Sequence, residues 1–132
     1  MSGIVELEQI LRSLQPNLGD GEFVFCTFTD MKYGDHAELT PLGVFQEPEG
    51  MTLIVPRHRA DRAGIEYDAC FRQLTLTVHS SLNTVGLTAT VAGVLAEHGI
   101  SANVVAAFYH DHVFVPTDKA EEALVALQAL QG

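Results

Sequence analysis

One stretch constrains the fold more than any other. From Tyr67 to His79 the chain reads YDACFRQLTLTVH, the longest strand signal in the sequence. Leu74, Leu76 and Val78 fall on one side of an extended strand, and Thr75, Thr77 and His79 on the other. A strand with one apolar side must cover that side with helices or another sheet. The C-terminal residues supply the cover. After the loop Ser80–Val85, Gly86 opens a helical pattern in which Leu87, Val91, Val94, Leu95 and His98 form one stripe. Gly99 stands where a left-handed cap is favoured. Ser101–Phe108 and Val113–Val115 read as strands. Thr117 is placed to cap a last helix with Ala120, Ala123, Leu124, Leu127 and Leu130 on its apolar face.

The N-terminal residues repeat this alternation less clearly. Ile4, Leu7, Ile10, Leu11 and Leu14 recur at helical spacing until Pro16 and Gly19. Asp20-Gly21 reads as a turn, and Glu22–Thr29 as a strand. A loop rich in Gly, Asp and Pro precedes two short strands, Leu42–Gln46 and Met51–Val55, joined through Glu47-Pro48-Glu49-Gly50. Arg57–Ala63 is a short helix candidate closed by Gly64. No Ser/Gly/Pro-rich linker divides the chain. The expected fold class is α+β, with helices on one face of an antiparallel sheet, or of two sheets side by side.

At 132 residues the chain is one domain or two very small ones, and with 47% apolar residues it can build a core. A formal charge of -10 argues against a nucleic-acid partner, whose phosphates need a basic surface. Cys26 and Cys70 each lie in an apolar, strand-like run, as buried thiols do; their spacing neither demands nor forbids a disulfide. The acidic, amphipathic N-terminus does not read as a signal peptide, and no run is long enough to span a bilayer. The expectation is a cytoplasmic protein without a cofactor.

The segment Tyr109–Pro116, YHDHVFVP, gathers titratable side chains beside an apolar run. On a strand His110 and His112 share a face and Asp111 opposes them. Two imidazoles hold a metal only with further ligands from His36, His58, His79 or the acids, and no metal-binding spacing supports this. A nucleophilic pair with Ser80 or Cys70 can be drawn, but nothing in the pattern forces it. The plainest reading is a hairpin whose turn is Tyr109–Asp111. Arg57, His58, Arg59 and Arg62 form either a solvated helix face or a contact for an acidic partner. Asn83–Leu87 is a loop entering a helix whose free amides suit a carboxylate, and Gly86 allows close approach; the alternative is a simple helix cap. Asn103 interrupts an apolar strand and must satisfy its amide on a ligand or on nearby backbone.

The block Leu74–Pro116 resembles an ACT domain, a small ligand-binding module, in its strand–loop–helix–strand–strand order and its Ala96-Glu97-His98-Gly99-Ile100-Ser101 join. VFCTFTD and GVFQEPEGMTLIVP extend the resemblance to small proteins of two ACT-like (ferredoxin-like) halves in tandem, similar to the regulatory regions of aspartate kinases and to amino-acid sensors. It implies an N-terminal ACT-like half over residues 1–66 and a C-terminal ACT domain over residues 67–132. The family's Asp-x-x-Gly turn reads Asn83-Thr84-Val85-Gly86 here, an amide for the acid. A standard ACT domain closes with a strand after its second helix; none is evident here, so the first half is the candidate supplier.

The resemblance implies a non-enzymatic sensor that binds a small metabolite, an amino acid above all, between the halves. Asn83, Thr84 and the amides of Val85, Gly86 and Leu87 would take its carboxylate. Asn103 and the backbone at Val104 would fix its amino group, and Asp111 with Thr29 would read its side chain. The readout would be a homodimer or a partner protein. The alternative is an adaptor that pairs through its sheet edges without a ligand.

Overall fold

A computed structural model of the chain describes residues 3–78 and 86–131, with side chains from residue 7 onward. Its elements are α1 (Gly3–Ser13), β1 (Gln15–Phe28), β2 (Gly43–Glu47), β3 (Gly50–Pro56), α2 (Arg57–Arg62), β4 (Phe71–Thr77), α3 (Leu87–Glu97), β5 (Asn103–Ala106), β6 (Asp111–Pro116) and α4 (Ala120–Gln128). The fold is α+β, and the chain divides into two units: residues 1–19 with 72–132, and residues 20–71.

In the first unit the strands run in the order β1-β4-β6-β5. Leu74, Leu76 and Val78 face the core, as their alternation predicts, together with Val113 and Val115. Leu87, Val91 and Leu95 of α3, Ala120, Ala123 and Leu127 of α4, and Leu7, Ile10 and Leu11 of α1 pack on that same side. Each fully buried Leu or Val contributes about 1.5–3 kcal/mol. That burial holds α3, whose N-cap, Gly86, has no side chain to cap it. Its C-terminus is closed by Gly99 at φ 71°. The Gly99 amide donates to Ala96 and the Ile100 amide to Leu95, each at 2.9 Å, and Ile100 returns to the core.

In the second unit the order is β2-β3-β1, antiparallel throughout. Val24, Cys26, Met51, Leu53 and Val55 cover one face, and Ala60 of α2 completes the cluster. The helix ends as α3 does: Gly64, at φ 70°, donates to Asp61 and Ile65 to Ala60.

Several boundaries differ from the sequence expectation. β1 begins at Gln15 and runs through Asp20-Gly21 without turning. The Arg72 guanidinium donates twice to the Gly19 carbonyl, at 3.1 and 2.8 Å, and holds this part of the strand extended. β4 begins at Phe71, because Tyr67–Cys70 forms a connector. The β5–β6 turn is Ala107–His110, with the Ala107 amide donating to the His110 carbonyl, so Asp111 is a strand residue paired with Ala106. Thr117 is not the cap of α4: Pro116, at φ −53°, opens a 3-10 turn, Thr117–Lys119, that leads into the helix.

Candidate functional site

Hairpin β5–β6 decides where the YHDHVFVP side chains go. Its register pairs Asn103 with Phe114, Val104 with Val113, Val105 with His112 and Ala106 with Asp111. Paired residues share a face and neighbours alternate. Val104 and Val113 face the core. His112, Phe114 and Asn103 therefore lie on the outer face, and Asp111 on the helix side. His112 is only half-buried, and its Nδ1 lies 3.0 Å from Gln73 Nε2 and 3.1 Å from Thr75 Oγ1. A carboxamide nitrogen can only donate, so Nδ1 accepts and the neutral ring carries its proton on Nε2. Burial pushes the His112 pKa below its ordinary value, and the nearby His110 adds to this, while Asp111 pulls the other way.

The turn residues behave differently. Phe108 and Tyr109 are exposed and meet edge to face at 5.1 Å. His110 turns inward. Its Nδ1 is buried without a hydrogen-bond partner among the described residues, and the ring lines a cavity of about 260 Å³ with Ser13, Gln15, Thr77 and Val78.

The sequence candidates are scattered by role. Asn83, Thr84 and Val85 lie outside the described residues, as does His79. Gly86 precedes α3 at φ 98°, and a Cβ there would meet Leu7 Cδ2 at 3.0 Å, so on that side the glycine admits helix α1. Leu87 is buried in the core and Val104 packs against it. Asn103 donates its amide to the Phe114 carbonyl at 3.3 Å, a bond that pins the partner strand. Asn103 and Asp111 stand at opposite ends and on opposite faces of the hairpin, separated by about 10 Å along the strands. Thr29 is an exposed residue after β1, in the second unit.

The second unit holds features that the sequence pattern did not single out. An open groove of about 730 Å³ is lined by Phe25–Thr27, Thr52 and the connector Ile65–Asp68. Beside it, Arg57 Nη1 donates to both Glu22 carboxylate oxygens, at 3.1 and 3.2 Å, and Nε donates to the Tyr67 hydroxyl. Tyr67 in turn donates to Asp61 at 2.6 Å, and that bond raises its pKa. Arg57 thus ties the connector to α2, which the basic run did not disclose. Cys26 and Cys70 are both free thiols. Among the described residues, no group of three or more His, Cys, Asp or Glu side chains is placed to hold a metal ion. No described helix is long and apolar enough to cross a membrane.

Known proteins match both parts of the chain. ACT domain family models match residues 2–72 and residues 71–129. Among solved structures, a protein of unknown function from Vibrio cholerae, a possible transport protein, is 50% identical with a TM-score of 0.90, over 99% of this chain and 100% of that one. The regulatory subunit of aspartate kinase from Thermus flavus has a TM-score of 0.61 at 15% identity, over 90% of this chain and 97% of that one. An Agrobacterium tumefaciens protein reaches a TM-score of 0.73 at 14% identity, covering 89% of each chain. A comparison with curated proteins finds no match.

Proposed function

The chain belongs to the ACT domain family, with two such domains in tandem, and on that premise we propose that it is a non-enzymatic regulatory module that binds an amino acid. The amides of Gly86 and Leu87, at the opening of α3, receive the carboxylate, and Asn83, Thr84 and Val85, outside the described residues, are the further candidates for it. Asp111, on the helix side of the hairpin, selects the ligand's side chain; Asn103 on the outer face and Val104 in the core, both at the hairpin's other end, are left out of this site. The observation that carries this reading is the opening of α3. Gly86 is left-handed, no described side chain caps the helix, and the first bond of the helix is Thr90 N–H to the Gly86 carbonyl at 2.9 Å. The amides before Thr90 point out of the helix toward an acceptor, where the macrodipole favours negative charge. The class of ligand comes from the resemblance of the sequence to amino-acid sensors of two ACT-like halves.

A thermal-shift panel of the twenty amino acids tests it. One amino acid should raise the midpoint, and Asp111→Ala should abolish that shift; a ligand at a hundred times its Kd stabilises by about 2.7 kcal/mol. Substituting Gly86 is a poor probe, because its positive φ and the contact with Leu7 make any side chain there a folding defect. If no amino acid moves the midpoint, the reading fails.

A second reading, an adaptor that pairs through sheet edges, is favoured by one observation. The terminal strands β2 and β5 carry exposed apolar groups: Leu42, Val44 and Phe45 at one, Val105, Phe108 and Tyr109 at the other. That reading predicts self-association or partner binding that no amino acid alters, weakened by Phe45→Ser or Phe108→Ser.

A further inference from the structure

The His110 cavity holds a polar atom that no described residue satisfies. A buried polar atom left without a partner costs about 1–3 kcal/mol, and such atoms in folded proteins have reasons. His110 Nδ1 is in this position, and four other residues converge with it on the same cavity. Their hydrogen bonds elsewhere fix what each can still offer. Thr77 Oγ1 accepts from Asn17 Nδ2 at 3.0 Å, which leaves its O–H to donate. Ser13 donates its O–H to the Ile10 carbonyl at 3.0 Å, which leaves its oxygen to accept. Gln15 contributes an exposed carboxamide able to do either. Val78 supplies an apolar wall. None of the described lining residues is an acid, a lysine or an arginine.

We propose that this cavity, built by the end of α1, the start of β1, the end of β4 and the β5–β6 turn, is a binding site for a small ligand of zero net charge. The ligand carries an acceptor for Thr77 and a donor for Ser13, and closes the bond that His110 Nδ1 lacks. A simple carboxamide or a zwitterionic amino acid meets these terms. The volume, about 260 Å³, equals that of roughly eight or nine waters, enough for a molecule of this size. A net charge is disfavoured because the described walls hold no acid, lysine or arginine to pair with it, and an unpaired charge out of water is costly. Neither Gly86 nor Asp111 is among its described lining residues.

The test is an NMR titration of the full chain with its histidine rings labelled with nitrogen-15, His110 being assigned from the signal lost in His110→Gln. Acetamide, glycine and acetate are the probes. The proposal expects a saturable shift of the His110 Nδ1 resonance with acetamide or glycine and none with acetate. It expects affinity to fall about tenfold in Thr77→Val, which removes one hydroxyl and keeps the shape. His110→Phe should abolish binding, and if it does not fold, Thr77→Val still decides. No saturable shift up to roughly 50 mM, where millimolar affinity would show, overturns the proposal. So does acetate binding as well as the neutral probes, or unchanged affinity in Thr77→Val.

Discussion

The His112 ring is held by its neutral form. Gln73 and Thr75 approach Nδ1, His110 repels a charge on the ring, and only Asp111 favours one. Burial is the largest of the effects that lower its pKa from the ordinary 6.5. The folded chain therefore takes up this proton less readily than the unfolded chain does. The stability this contributes is complete above pH 6.5 and is lost as the pH falls from there through the lowered folded value. His112→Gln keeps a hydrogen-bonding side chain and removes the titration. Between about pH 7.5 and 5.5 the native melting temperature should drop more steeply than that of the variant. Parallel curves would mean that the ring titrates alike in both states. The thiols make a second residue-scale case. Cys26 is 6% exposed and its pKa is raised by burial, whereas Cys70 is only half-buried. An aromatic disulfide reagent should modify Cys70 in the native protein and reach Cys26 only on unfolding, because the reactive species is an accessible thiolate. Equal rates for Cys70→Ser and Cys26→Ser variants would refute this.

Helices α2 and α4 enter their units by the same device. Each comes after a strand that ends in Val-Pro, at Val55-Pro56 and Val115-Pro116, and each buries completely the alanine four residues after the proline, Ala60 and Ala120. Proline cannot extend the ladder and presets φ for a helical start, so the chain leaves the sheet at a fixed place. The alanine then lets the helix lie close on its sheet. A leucine there must displace the helix. Ala60→Leu and Ala120→Leu should each cost about 1–3 kcal/mol by overpacking, read from urea midpoints at unchanged slope. Tolerance of both would show that the helices are loosely seated. The C-terminal devices repeat as well, Gly64-Ile65 after α2 and Gly99-Ile100 after α3. Nothing lies within 4 Å of a Cβ added at either glycine, so alanine there meets only backbone strain. The expected loss is about 1 kcal/mol for each. A much larger loss at either glycine would point to contacts other than the cap.

Across the whole molecule, what could be read from the chain depended on whether local pattern and tertiary contact agree. The alternation in β4, the α3 stripe and the Gly99 cap are local signals with tertiary support, and they stand as expected. The β5–β6 turn was displaced because Phe108 and Tyr109 have the side chains of a strand yet lie exposed in the turn. Asp20-Gly21 looked like a turn, and the contact that overrides it comes from Arg72, 53 positions from Gly19. His110 was legible as a residue of interest, but its cavity joins segments distant in sequence and has no local signature. Net charge is a property of the whole chain. Seventeen acids face seven bases, for a formal net charge of -10. The ion pairs that offset this are exposed or partly exposed, as in Arg12–Glu8 and Arg57–Glu22. Such surface pairs are worth about 0–1 kcal/mol each. Long-range repulsion among the excess carboxylates should therefore outweigh them at low ionic strength. Sodium chloride shortens the screening length from about 30 Å at 0.01 M to about 10 Å at 0.1 M, and so weakens distant repulsion before close pairing. Melting temperature at pH 7.5 should rise by several degrees between about 0.01 and 0.3 M salt, a gain of roughly 1 kcal/mol. A fall over that range would show that the local pairs, led by Glu22–Arg57, hold the fold more strongly than the surplus charge opposes it.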